Sequence, residues 1–364
     1  MTNPSKSAWV ATRKGLFELR HDGAGWQIAN LSFIAEPVTM VLPAPPGQRM
    51  LAALNLGHFG SKMHASDDGG KSWTEVAVPT FPPQPEGDGS DQGPAWKLQQ
   101  VWSMERDGAG TVWAGTIPGG LFKSGDGGAS WQLVDSLWNL PERMEWMGGG
   151  YDAPGIHSIC PHPSKPEETL LGVSTGGAWR STDGGASWQI RASGMNADYM
   201  PPERQQDPIV QDVHRIARCA GAPEVLWTQH HCGIWRSADN GASWQRLHAE
   251  PSSFGFAVAA HPRDPNTAWF APAIKDERRL PVDAALCVTR TRDGGRSFEA
   301  LRRGLPQQHC YDLIYRHGLD VDASGERLLM GSTTGNLWAS DDAGDSWQAV
   351  ALNLPPIYAL RFGA

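Results

Sequence analysis

An eight-residue pattern recurs along nearly the whole chain and constrains its fold more than any other feature. It reads Ser66-Asp67-Asp68-Gly69-Gly70-Lys71-Ser72-Trp73 and returns, with small changes, at 124–131, 181–188, 237–244, 291–298 and 340–347. A degenerate copy, His21-Asp22-Gly23-Ala24-Gly25-Trp26, comes first. The aromatic ends are Trp26, Trp73, Trp131, Trp188, Trp244, Phe298 and Trp347, so the spacings are 47, 58, 57, 56, 54 and 49 residues. Self-similarity at that period, in short β-type segments, indicates a propeller or a solenoid. The Asp side chain can bond the amides of its own turn. The glycines permit positive φ, and the Trp buries a large apolar surface. The pattern therefore reads as a structural staple in the hairpin between the two outer strands of a blade.

Composition agrees with an all-β chain. The sequence has 364 residues with 42 Gly and 28 Pro, and helical periodicity is scarce. Strand-like segments bounded by turn residues recur about every 8–12 residues. Most of the 17 Trp are expected in blade packing. The net charge is −8 with no Lys/Arg cluster, which argues against nucleic acid or an anionic membrane as partner. No apolar run reaches the length of a membrane span. The first residues, Met1 to Trp9, hold no apolar signal core, so a cytoplasmic location is expected. The cysteines Cys160, Cys219, Cys232, Cys287 and Cys310 are odd in number and lack CxxC spacing, so free thiols are expected.

Each repeat should hold four strands, A to D, from the central channel outward. The repeated turn joins C to D. Seven segments share the apolar pattern of an innermost strand A: 37–41, 100–104, 155–159, 212–216, 255–258, 310–314 and 356–360. The chain begins with B-, C- and D-type segments and ends on an A-type segment. The sequence thus predicts one seven-bladed β-propeller over residues 1–364, its ring closed by a C-terminal strand A joining N-terminal strands B–D. Closure of that kind removes open sheet edges.

The repeated turn resembles the BNR or Asp-box repeat, a family that includes sialidases, endo-xyloglucanases, sortilin-type receptors and photosystem assembly factors. Six of the seven copies match well. The resemblance implies a sialidase-like, glycosyl hydrolase-type propeller, but one fold hosts many activities. Sialidases carry a Phe/Tyr-Arg-Ile-Pro motif, whereas the comparable place here reads Ala11-Thr12-Arg13-Lys14-Gly15. Sialidase activity itself is therefore not expected.

Antiparallel order says where chemistry should sit. Strand-A starts, strand-B ends, D–A loops and B–C loops share one face, and the repeated turns lie on the other. The central A positions are Thr39, Trp102, His157, His214, Phe256, Asp312 and Tyr358. B ends bring Arg13, His58, Gln229, His230 and His231. Long D–A loops at 79–98, 138–154 and 193–211 crowd the same face, as does a charged B–C loop from Lys275 to Arg279. Long loops at one rim shape pockets.

His157, His214, His230 and His231 are expected at one patch, where they could hold Zn²⁺ or Fe²⁺ with an open position. Without a metal, His157 and His214 could act as acid and base, with Asp212, Asp312 or Glu145 orienting them or taking a proton. His58, Trp102, Trp146, Gln229, Tyr358, Arg13 and Lys275 are expected to contact substrate. The leading expectation is a hydrolase or lyase acting on a small polar or carbohydrate molecule, with no nucleotide cofactor. The alternatives are a carboxylate-based glycosidase and a non-catalytic binding or assembly propeller.

Overall fold

The computed structural model describes residues 3–45, 47–85 and 95–363. Part of the long loop expected at 79–98 therefore lies outside the described residues. Seven four-stranded antiparallel sheets form the blades of the ring. The second to seventh blades open with the innermost strands Val38–Leu42, Gln100–Arg106, Ile156–His162, Val213–Arg218, Gly255–Ala260 and Leu319–Val321. In the first blade the C-terminal strand Ile357–Phe362 pairs with Ser7–Thr12, which continues into Gly15–His21 and Trp26–Ser32. The two ends of the chain thus share one sheet, as expected. All five cysteines are free.

The repeated turn keeps one hydrogen-bond pattern in its six full copies. In the second blade the Ser66 hydroxyl donates to Asp68 Oδ1 at 2.8 Å and accepts from the Gly70 amide at 2.8 Å. Asp68 also accepts from the amide and hydroxyl of Ser72 at 2.9 and 2.6 Å. The same bonds recur around Asp126, Asp183, Asp239, Asp293 and Asp342. These bonds hold the Asp183 and Asp293 carboxyls down at about 2, the Ser187 and Ser297 hydroxyls contributing most.

The aromatic of the turn does more than staple its own hairpin. Trp131 Nε1 donates to the Ala77 carbonyl, Trp188 Nε1 to Ser136 Oγ and Trp244 Nε1 to the Arg191 carbonyl, at 2.8 to 3.2 Å. Each acceptor belongs to the preceding repeat, so the pattern also fixes blade to blade. Between the sheets lies the core: Trp113, Leu171, Trp179 and Trp188 pack in one such layer.

One strand departs from the sequence reading. Residues 310–314 were expected as the innermost strand of the seventh blade, but that strand is Leu319–Val321. The true strand carries Asp320 and runs into Asp322, which hid its character. Asp320 is nonetheless an internal acceptor, taking the Phe362 amide at 2.9 Å. Residues 302–318 are consequently a further long D–A loop, and Asp312 lies in it rather than on a strand.

Candidate functional site at the channel mouth

Six innermost strands share a register shift near their starts. It falls between Val38 and Met40, Val101 and Ser103, Ile156 and Ser158, Val213 and Arg215, and Gly255 and Val258, and beside Tyr358 in the closing strand. The extra residues are Thr39, Trp102, His157, His214, Phe256 with Ala257, and Tyr358. A bulge re-aims the side chain of its unpaired residue, here around the channel.

Two adjoining cavities open on this face. The larger, about 760 Å³, is lined by Trp102, Tyr151, Tyr315, Arg316 and Tyr358 among others. The second, about 640 Å³, is lined by Tyr199, Asp212, His214, His231, Phe254 and Lys275 among others. Gly149, Gly150 and Arg279 line both. Two of the three long D–A loops expected at the rim reach it, with the charged B–C loop: 138–154 supplies the glycines, 193–211 supplies Tyr199, and 273–287 supplies Lys275 and Arg279, while no described residue of 79–98 lines either cavity.

Asp212, His214 and His231 form the chemical centre of the second cavity. Their ligand-type atoms lie within 4.8 Å of one another. Asp212 immediately precedes the strand Val213–Arg218, and His214 is the unpaired residue of its bulge, which lets the two side chains meet. The B end delivers His231, whose amide bonds the Asp212 carbonyl at 2.9 Å. Asp212 Oδ2 stands 3.6 Å from His214 Nε2 and 3.3 Å from His231 Nδ1. Its other oxygen, Oδ1, is buried without a donor.

The proton inventory sharpens the picture. His214 Nδ1 lies 2.7 Å from the Gly255 carbonyl oxygen, a contact in which Nδ1 donates its hydrogen. In the neutral ring Nε2 is then a lone pair, and it faces a carboxylate oxygen. Burial lowers the His214 pKa against the pull of Asp212, favouring that neutral ring. Burial alone would raise the Asp212 pKa; the His231 contact and the Arg316 charge act against it, lowering it beside the neutral His214 ring. The bond to Asp212 raises the pKa of His231.

Two donors each about 2.1 Å from a tetrahedral ion stand about 3.4 Å apart, which the separations of 3.3 and 3.6 Å bracket. Two imidazoles and one carboxylate with open positions suit iron or zinc. The Nδ1 bond to a backbone carbonyl is the orientation that ligating histidines adopt.

Other expected site residues fall elsewhere. His157 is fully buried against Ser158 Oγ at 2.9 Å, and His230 accepts the Cys232 amide at 2.9 Å. Neither belongs to the cluster, so the expected set of imidazoles becomes two plus Asp212. Of the adjacent pair expected there, His231 joins the cluster and His230 does not, since neighbouring residues at a strand end point apart. Asp312 does not line either cavity. It accepts from the Ser332 hydroxyl at 2.6 Å and the Asn336 amide at 2.8 Å, and from Thr334, pinning its own loop to the neighbouring turn. Glu145 is exposed and sits 3.7 Å from Arg204.

Of the expected substrate contacts, Trp102 and Tyr358 line the larger cavity and Lys275 the second, where it pairs with Glu277 at 3.1 Å. Trp146 is core, tilted against Trp179 at 5.8 Å. The Gln229 amide is spent on the carbonyls of His230, Gly233 and Ser253. His58 lies in an exposed turn against Phe59, and Arg13 is exposed. Arg316 was missed: its loop was read as a strand, and nothing in the local pattern marks it.

No protein-family model matches the chain. Over 301 residues it is 22% identical to a xyloglucanase from Paenibacillus sp, a match covering 71% of this chain and 27% of that protein. The chain thus spans about a quarter of the length of the curated relative it matches. It superposes on an ancestral GH74 enzyme with TM-score 0.58 and 16% identity, covering 85% of this chain and 38% of the other. On YCF48 from Cyanidioschyzon merolae the TM-score is 0.54 with 15% identity, covering 94% and 95%. At such identities the likeness establishes the propeller alone, and activity must be argued from the site.

Proposed function

We propose that this chain is a hydrolase that acts on a small, sugar-like molecule at the channel mouth, using a divalent cation held by Asp212, His214 and His231. One observation carries the reading: the His214 Nε2 lone pair faces Asp212 Oδ2 at 3.6 Å, with the ring proton committed to Gly255 on the other side. A cation between them turns that repulsive contact into coordination. Zinc or iron there would polarise a carbonyl or lower the pKa of a bound water. The sugar-like substrate is supported by the larger cavity, where Trp102, Tyr151 and Tyr358 stand with the amides Asn55 and Gln100, and by the similarity to a xyloglucanase. Apolar walls with a few placed polar groups are what small-ligand sites offer.

The test is hydrolysis of a panel of sugar lactones and aryl glycosides, with and without chelator. Turnover lost in chelator and restored by zinc or iron supports the proposal. Turnover that persists in chelator, or in the His214→Ala/His231→Ala protein, overturns it, and binding without turnover across the panel assigns the chain to the binding propellers.

A further inference from the structure

Arg316 is a buried cation with no acid of its own. Its residue is 6% exposed, and no carboxylate lies within ion-pairing distance among the described residues. One NH2 hydrogen goes to the Gly149 carbonyl at 3.3 Å, and Nε has no partner. The guanidinium lies over the Trp102 ring at 4.8 Å and the Phe256 ring at 5.6 Å. A guanidinium has five donors in a planar fork, so most of this one is unspent. The nearby Asp212 carboxylate makes no ion pair with it, and in the proposed function it serves the cation. A buried, unpaired charge is costly, so its retention at a cavity wall calls for a partner.

The surroundings favour an anion. Arg316 lines the larger cavity, where Glu36 is the one acidic residue among the described lining and is itself exposed. Arg279 lines the same cavity and lies over Phe256 at 5.3 Å from the ring centre, but it is paired with Asp276 at 2.5 Å, so Arg316 carries the unpaired charge. Gly149 joins the two centres: its carbonyl meets Arg316, and a Cβ added there would stand 2.9 Å from Asp212 Oδ1. A single glycine thus separates the free guanidinium from the proposed cation cluster.

The geometry points to Arg316 as the receptor for a compact oxyanion, a carboxylate or phosphate, on the substrate, which makes the substrate an acidic sugar derivative. This deepens the proposed function and rests on the mouth being its site. A planar fork matches either anion with two parallel bonds. Held there, the anion directs the rest of a small molecule over Gly149 toward Asp212.

Calorimetric titration of the full chain with glucuronate, glucose 6-phosphate and glucose tests this. At least one acid should bind tenfold or more tightly than glucose, and Arg316→Met should erase that preference. The preferred acid tells carboxylate from phosphate. Equal affinity for all three, or no binding of either acid, overturns the inference, as does a folded Arg316→Met protein that keeps the preference. The wild-type comparison stands even if the variant does not fold. Ion content, measured on the same samples, separates this from the cation: acid binding without a bound ion sinks the metal reading and spares Arg316, and the reverse sinks Arg316 alone.

Discussion

The two faces of the ring use the same carboxylate in opposite ways. On the face of the repeated turns each aspartate is saturated: Asp68, for example, accepts from two hydroxyls and two amides of its own loop. At the channel mouth Asp212 keeps one oxygen without a donor, faces a histidine lone pair, and is buried. Repetition on one face satisfies every carboxylate locally, which makes a sound joint and leaves nothing over for chemistry. The mouth breaks the repeat and leaves polar atoms unspent, which costs stability and leaves room for ligands. Asp312 shows that position alone does not decide: it too is near the mouth, but hydroxyls and an amide engage it, and it behaves like a joint.

The contrast can be broken by substitution. Trp188→Ala, on the joint side, removes a buried ring and its bond to Ser136, and should cost about 3–5 kcal/mol in denaturant unfolding. The folded protein should keep its cation affinity, and a loss there would show that the faces are coupled. Asp212→Asn should act on the other face. It should weaken zinc affinity by about a hundredfold or more by titration, in line with the sensitivity of metal sites to their ligands and supports, and it should also lower stability, since it leaves the buried Arg316 and the His231 ring without the nearby carboxylate charge.

Smaller effects sharpen the picture. Gly149→Ala places a methyl 2.9 Å from Asp212 Oδ1, so zinc affinity should fall about tenfold, in the range seen when a supporting group is disturbed. Unchanged affinity would mean that the loop yields without disturbing the aspartate. Acid is the mildest probe. The joint aspartates have depressed pKa values, Asp183 and Asp293 at about 2 against the usual 3.8. The stability they add is present above the unfolded value and lost as pH falls through the folded one. Thermal stability should therefore hold down to about pH 4 and decline below it. These groups are exposed or half-exposed, so each contributes little.

The joint face was legible because it repeats. The Ser-x-Asp-x-Gly-x-Ser-Trp register gave blade number, strand order and the closing strand, and from these the face on which function should lie. His214 and Asp212 were legible through their place at a strand-A start, and His231 through its place at a B end. What could not be read was which neighbours touch: the choice of His231 over His230 depends on the turn after the strand, and the exclusion of His157 on its pairing with Ser158. Arg316 stayed hidden because Cys310-Tyr311-Asp312-Leu313-Ile314 imitates an innermost strand better than Leu319-Asp320-Val321 does. A buried acid in the true strand shifted the register, and the loop that carries the free guanidinium vanished into the misread element.

The account turns on whether the mouth's unspent carboxylate and imidazoles hold an ion. The most direct measurement is the metal content of the full chain after loading with zinc or iron(II) and desalting, beside the folded Asp212→Asn and His214→Ala proteins. The account predicts about one ion per wild-type chain, as a preformed ligand set requires, and none retained by either variant. A wild-type chain that retains no ion, or variants that retain as much as wild type, would contradict it.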